Sequence, residues 1–345
     1  MPYTNINDPS AYFQTALYTG NSGTLSVTND GNSDLQPDLV WIKKRSGNAD
    51  HPITDSSRGT STQVYANLTY QDDPVSGVNA FNTDGFTLGS NGTSNLSGAT
   101  FVAWQWKVNA GTTSSNTDGS TTSTVQANQD AGFSIVTYTT AGSTATIGHG
   151  LGAKPDVILL KKRNGAISWY VRHVSTGTSY LNLNLTSAAV SNPAATWTTT
   201  EPTTSVYSIG TSTDFNISGG EYVAYCFAEK QGYSKFGKYT GNGSPNGPFI
   251  YTGFKPAFVM VKKSNNTGSW VINDSKRIGY NPNNYDLYAN LGAAEEDNDR
   301  FDLLSNGFKA RSTSSPSNAS GDTYIYMAFA ENPFVTSTGI MGTAR

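Results

Sequence analysis

Hydrophobic and polar positions alternate most cleanly in three runs of this chain. In "FVAWQWK", from Phe101, Val102, Trp104 and Trp106 fall on one side. In "YVAYCFAE", from Tyr222, Val223, Tyr225 and Phe227 do the same, and in "YIYMAFAE", from Tyr324, so do Ile325, Met327 and Phe329. A period of two over that length predicts a half-buried strand. Three shorter apolar runs turn charged at their ends: "LVWIKKR" from Leu39, "VILLKK" from Val157 and "FVMVKK" from Phe258. Each follows a proline (Pro37, Pro155 or Pro256), which blocks earlier pairing. Asp84-Gly85 and Asn306-Gly307 precede alternating residues and read as turns. No window sustains a helical period, so the pattern predicts an all-β protein.

The same words recur. "KPAFVMVKKSNNTGSWVINDS" (255–275) lies over "KPDVILLKKRNGAISWYVRHV" (154–174) without a gap, and "QPDLVWIKKRSGNADHPITDS" (36–56) is a third copy. The prolines stand 118 and 101 residues apart, one small domain each. Each repeat offers roughly six short strands, enough for a small antiparallel sandwich. Jelly-roll and immunoglobulin topologies both remain open. The expected organisation is three tandem β-sandwich repeats at 1–108, 132–230 and 231–334. A Gly/Ser/Thr-rich linker at 109–131, with room for one strand, and a tail at 335–345 complete it. The second and third repeats, joined by the short Glu229–Gly237, are expected to pack together.

Composition narrows the function. Charged residues make up only 14% of the chain, and Ser, Thr, Asn and 35 Gly carry the polarity, as in short strands joined by many turns. A net charge of -3 and no long basic run argue against nucleic-acid binding. One cysteine, Cys226, excludes an intrachain disulfide framework and reads as a small buried hydrophobe. No stretch is apolar enough to cross a membrane, and the first twenty residues do not read as a signal peptide. Asn67, Asn91 and Asn184 open Asn-x-Ser/Thr triplets of the kind expected by chance in so polar a chain. A catalytic centre is seldom copied three times, whereas a weak binding module gains avidity from copying. No nucleophile elbow, phosphate loop or dinucleotide fingerprint is present, so the chain does not read as an enzyme and calls for no cofactor.

Few residues suggest chemistry. His149 lies in the Gly-rich "GHGLGAKPD" and reads as part of a turn; His51 aligns with Trp169 and Trp270, and His173 with Asp55 and Asp274. None has metal-ligand spacing. Glu295, Asp297 and Asp299 alternate in "EEDNDR" without the longer pattern of a calcium loop. The candidate binding site is the repeated "SW" face. Trp270 would stack on a sugar ring, Asp274 would accept from its hydroxyls, and Arg277 would donate or pair with an acidic sugar. The competing expectation is a Trp that opens a core strand, since Trp is mostly buried.

"DPSAYFQTALYTGN", "FVAWQWKVNAGTTSSNTDGS", "GYSKFGKYTGNG", "TGFKPAFVMVKK" and "YIYMAFAENPFVTSTG" together resemble virion-structural proteins of tailed phages. The resemblance is nearest to those of marine phages infecting cyanobacteria and other oceanic bacteria, and it covers nearly the whole chain. It implies lectin-like sandwich repeats in a tail-fibre-like protein of the virion, on tail or capsid. The implied partners are other virion proteins and a host surface glycan, in a symmetric homo-oligomer. Capsid decoration is the rival role and a polysaccharide depolymerase a distant third. The first repeat departs from the pattern at His51-Pro52, which suggests attachment as its role.

Overall fold

The computed structural model of the chain describes residues 3–341 apart from 76, 193–194, 278–280 and 282. It is all-β, and one strand order occurs in three stretches. In the first, the sheet runs Phe13–Thr19, Thr100–Trp106, Leu39–Lys44, Pro52–Asp55, Val64–Tyr65. In the second it runs Phe133–Thr139, Glu221–Phe227, Val157–Lys162, Tyr170–His173, Tyr180–Leu181. In the third it runs Ser234–Thr240, Thr323–Pro333, Phe254–Lys263, Trp270–Asp274, Asn283–Tyr288. In each module the last strand in sequence, here the closing strand, therefore lies between the first strand and the lysine-ended strand. Smaller pairings form an outer layer: Leu25–Val27 with Phe86–Leu88 and Val78–Phe81, Ala145–Gly148 with Val206–Ile209, and Phe249–Tyr251 with Gly307–Ala310 and Glu296–Leu304.

The period of two in the closing strands separates two kinds of core. Phe101 and Ala103, Tyr222, Ala224 and Cys226, and Tyr324, Tyr326 and Ala328 face their own outer layers, in three separate apolar clusters. Val102, Trp104 and Trp106 face the other way, as do Val223, Tyr225 and Phe227, and Ile325, Met327 and Phe329. All nine lie in one cluster shared by the three modules. The closing strands are thus buried on both faces, not half-buried. Trp106, Phe227 and Phe329 hold equivalent positions and close a triangle, with ring centroids 6.3 Å (Trp106–Phe227), 5.7 Å (Phe227–Phe329) and 5.5 Å (Trp106–Phe329) apart. Three equivalent side chains that all touch one another must surround a common centre. Each large side chain buried there contributes roughly 1.5–3 kcal/mol.

The stretch expected to be a linker is part of this construction. Ser123–Asn128 pairs with Phe133–Thr139, and Ser114–Asn116 extends the same sheet outward. Gln126 carries the stretch into the first module, where its Nε2 donates to Ser56 Oγ (2.9 Å) and Ser57 Oγ (3.0 Å). Its low apolar content reflects an exposed edge, since Ser114 and Ser115 face solvent.

Local chemistry recurs with the strands. Asn95, Asn216 and Asn318 each sit just before a closing strand and donate to two loop carbonyls: Gly23 and Gly89, Ser143 and Gly210, Ser244 and Ser312. Each is followed three residues later by a glycine at positive φ: Gly98 (74°), Gly219 (75°) and Gly321 (79°). A stacked ring pair then opens each closing strand: Tyr18–Phe101, Tyr138–Tyr222 and Tyr239–Tyr324.

Candidate functional site

The residues singled out for sugar binding lie at the seams between modules. Trp270 is 3% exposed, and its Nε1 donates to the Asn182 carbonyl of the second module at 2.9 Å. Trp169 does the same one module earlier, donating to the Tyr65 carbonyl at 2.8 Å. The backbone N–H of each Trp donates to an asparagine, Asn184 at 3.0 Å and Asn290 at 2.8 Å, and His51 N uses Asn67 in the same way at 3.0 Å. Trp270 therefore opens a core strand and offers no face to a sugar. Two of the Asn-x-Thr asparagines, Asn67 and Asn184, are committed to this contact.

Asp274 and Arg277 are buried with it. Arg277 Nε donates to Asp274 Oδ2 at 2.7 Å, Arg277 Nη2 donates to the Ile272 carbonyl, and Arg277 Nη1 stands 3.5 Å from Glu295. Across the seam, Trp104 Nε1 of the first module donates to the same Asp274 Oδ2 at 3.1 Å. The first module repeats this design against the second. Arg58 Nε donates to Asp55 Oδ2 at 2.6 Å, and Tyr225 OH donates to that oxygen at 2.7 Å. Arg58 also reaches Asp72, which Arg163 of the second module holds at 2.9 Å. The proposed sugar grip is thus an interface device: its carboxylates and guanidiniums are consumed inside the protein.

The third seam uses other chemistry. Met327 stands where Trp104 and Tyr225 stand and has no polar hydrogen to offer; opposite it, His173 replaces the aspartate. His173 Nδ1 accepts from Ser175 N at 3.1 Å, so Nε2 carries the proton and donates to the Tyr326 carbonyl at 3.0 Å. Burial pushes this imidazole down to about 4, with Arg172 pushing the same way.

Buried lysines complete each seam. Lys161 Nζ donates to the Thr69 carbonyl at 2.8 Å, Lys262 Nζ to the Thr186 carbonyl at 3.1 Å, and Lys43 Nζ to the Leu291 carbonyl at 3.0 Å. Each donates into another module, from second to first, third to second and first to third, which closes the circle. Burial is the main cause that lowers these amines, Lys43 and Lys161 to about 7 and Lys262 to about 8. Lys43 also contacts His51 Nε2, so the first repeat's departure from tryptophan sets a second polar group against the lysine.

The family model for a domain of unknown function, DUF7483, matches residues 8–333, a span that crosses all three modules. The chain belongs to the DUF7483 family. No curated protein and no solved structure matches it.

In this DUF7483 chain the remaining candidates are also accounted for locally. The acidic run leads into the strand Glu296–Leu304, whose pleat explains the alternation; Glu295 accepts from Arg45 Nε at 2.7 Å and Glu296 from Tyr288 OH at 2.7 Å. Among the described residues no group of three or more His, Cys, Asp or Glu is arranged to hold a metal. His149 is buried, lowered to about 4 by desolvation, and bonded through Nδ1 to Leu151 N. Cys226 is buried, and its thiol is pushed up by desolvation. Among the described residues no helix is long and apolar enough to cross a membrane.

Sequence reasoning passed over a set of exposed aromatics. Phe249 and Tyr251 are 47% and 52% exposed on the outermost strand of the third module. Tyr3 OH donates to the Gly253 carbonyl at 2.7 Å and lies 3.2 Å from Tyr251 OH, and Phe334 packs edge-on to Tyr3. The overlooked signal was their lack of any counterpart in the other repeats.

Proposed function

We propose that this protein is a structural and binding component of a tailed-phage particle, most simply a tail-fibre or receptor-binding protein that engages glycans on the host surface. The resemblance of its wording to virion-structural proteins carries the first part of this reading. The shared core supports it: the three modules brace one another, so their outer loops can vary while the body stays rigid. Multiplied modules suit weak, repeated ligands such as surface polysaccharide. The repeated polar residues described above serve the seams, which leaves binding to unrepeated residues on the surface.

One observation favours a second role, capsid decoration. Three equivalent modules around a common centre give a single chain approximate three-fold form, which suits a three-fold position on a shell. Gold-labelled antibody against the protein, imaged on intact particles, separates the two: label on the tail supports receptor binding and label on the shell supports decoration. A glycan array probed with the purified protein then tests the ligand. Release of reducing sugar from host polysaccharide would instead revive a depolymerase.

A further inference from the structure

The internal repeats act as a built-in control: a residue that the fold requires recurs at equivalent positions, and one that does not recur is free for other work. Phe86, Tyr207 and Phe308 are equivalent, since each meets a tyrosine of its module's first strand edge-on, at 6.2, 6.5 and 6.2 Å. Their strand partners, Val27, Ile147 and Ile250, are therefore equivalent too, and all three are buried. The residues flanking them differ. They are Ser26 and Thr28 in the first module, Thr146 and Gly148 in the second, and Phe249 and Tyr251 in the third. The fold is content with small residues here, so it does not explain two half-exposed aromatic rings.

Those rings alternate with buried Ile250, so they project from the same face of an outermost strand. Around them is a polar rim. Tyr3 brings a second phenol hydroxyl to that of Tyr251, and Lys309, directly across the ladder from Phe249, holds Asn246 Oδ1 at 2.6 Å. Gly253 makes room for this arrangement: it sits at φ 82°, and a Cβ there would stand 2.4 Å from Tyr3 OH. Flat apolar faces edged by hydroxyl, amide and ammonium groups match a pyranose ring, which has apolar C–H faces and a polar circumference.

We infer that Phe249 and Tyr251, with Tyr3 and Lys309 at their rim, form a binding site for hexopyranose units of a surface glycan. The inference rests on the glycan-binding reading above and names its site. The test is a double variant, Phe249→Ser with Tyr251→Thr, which gives the third module the residues of the first. Both proteins are applied to an array of bacterial polysaccharides, and melting and solution mass are measured alongside. Expected are an unchanged melting temperature and mass and a loss of array binding of about tenfold or more. If the unmodified protein binds and the variant binds equally well, this site is wrong while the glycan reading survives. If the unmodified protein retains no glycan, both fall. A variant that changes oligomeric state instead shows a protein-docking face and overturns the inference.

Discussion

Two of the three seams are built on an Asp-x-x-Arg pair and the third on a histidine and a backbone carbonyl. Where the closing strand offers a donor, Trp104 or Tyr225, the facing module supplies a carboxylate, Asp274 or Asp55, held by its own arginine. Where it offers Met327, the facing residue is His173, which becomes the donor and takes the Tyr326 carbonyl. The seam therefore demands a satisfied hydrogen bond, not a particular charge. Donor and acceptor have exchanged sides without loss of pairing, as the cost of an unmatched buried polar group requires.

The difference can be broken in measurable ways. The largest effect is expected from Asp274→Ala, which takes from buried Arg277 its hydrogen-bonded carboxylate, leaving only Glu295 at 3.5 Å, and takes from Trp104 Nε1 its acceptor. Denaturant unfolding should lose about 3–5 kcal/mol, the usual cost of breaking a buried pair by removing one partner. At the histidine seam, His173→Ala should cost less, about 1–3 kcal/mol, because the bonds lost, to the Tyr326 carbonyl and from Ser175 N, are both uncharged. Equal losses at the two seams would refute the distinction.

Acid should act on the histidine seam. His173 and His149 titrate near 4 in the folded protein against an ordinary 6.5, and burial holds His51 well below 6.5. Between those values the unfolded chain binds protons that the folded one does not, so stability should fall as pH drops from about 6.5 toward 4. His173→Gln should flatten part of that fall. The buried lysines titrate near 7 to 8 when folded against 10.5 otherwise, so they should make stability rise with pH from about 7 toward 10. Lys161→Met should reduce that rise, as read from melting temperatures across the range. A small change is expected from Trp104→Phe, which keeps an aromatic ring but removes the N–H given to Asp274 and leaves a small void, at about 1–2 kcal/mol, since Arg277 still pairs with the carboxylate.

Much of the fold was legible in the sequence. The alternation in the closing runs, Pro37 and Pro155 ahead of two lysine-ended strands and the Asp-Gly and Asn-Gly turns all mark strands that exist; Pro256 instead lies inside Phe254–Lys263, at a register shift, and does not block the pairing of Phe254 and Lys255. What was misjudged is where the strands' faces point. In Tyr222–Phe227 the alternate positions are all apolar on both sides, a sign of burial on both faces that a half-buried reading ignores. Repetition of Trp169 and Trp270 suits both a binding face and a core strand, and their burial decides for the core, as a repeated core demands. The Asn-Leu pairs at Asn67, Asn184 and Asn290 are in the sequence as well, but two of them read as chance Asn-x-Thr triplets and their recurrence went unused. The one strand allowed in the expected linker exists, at Ser123–Asn128, whereas Ser114–Asn116 was hidden because an exposed edge strand needs few apolar residues.

The central claim is that the three modules fold as one body around the triangle of Trp106, Phe227 and Phe329. Hydrogen exchange followed by mass spectrometry on Trp106→Ala, against the unmodified chain, tests it most directly. Removing that ring leaves a hole at the common centre, a change that costs about 3–5 kcal/mol in a close-packed core. Amide protection should then fall together in Thr100–Trp106, Glu221–Phe227 and Thr323–Pro333. Loss confined to Thr100–Trp106, with the other two closing strands as protected as before, would contradict a shared core.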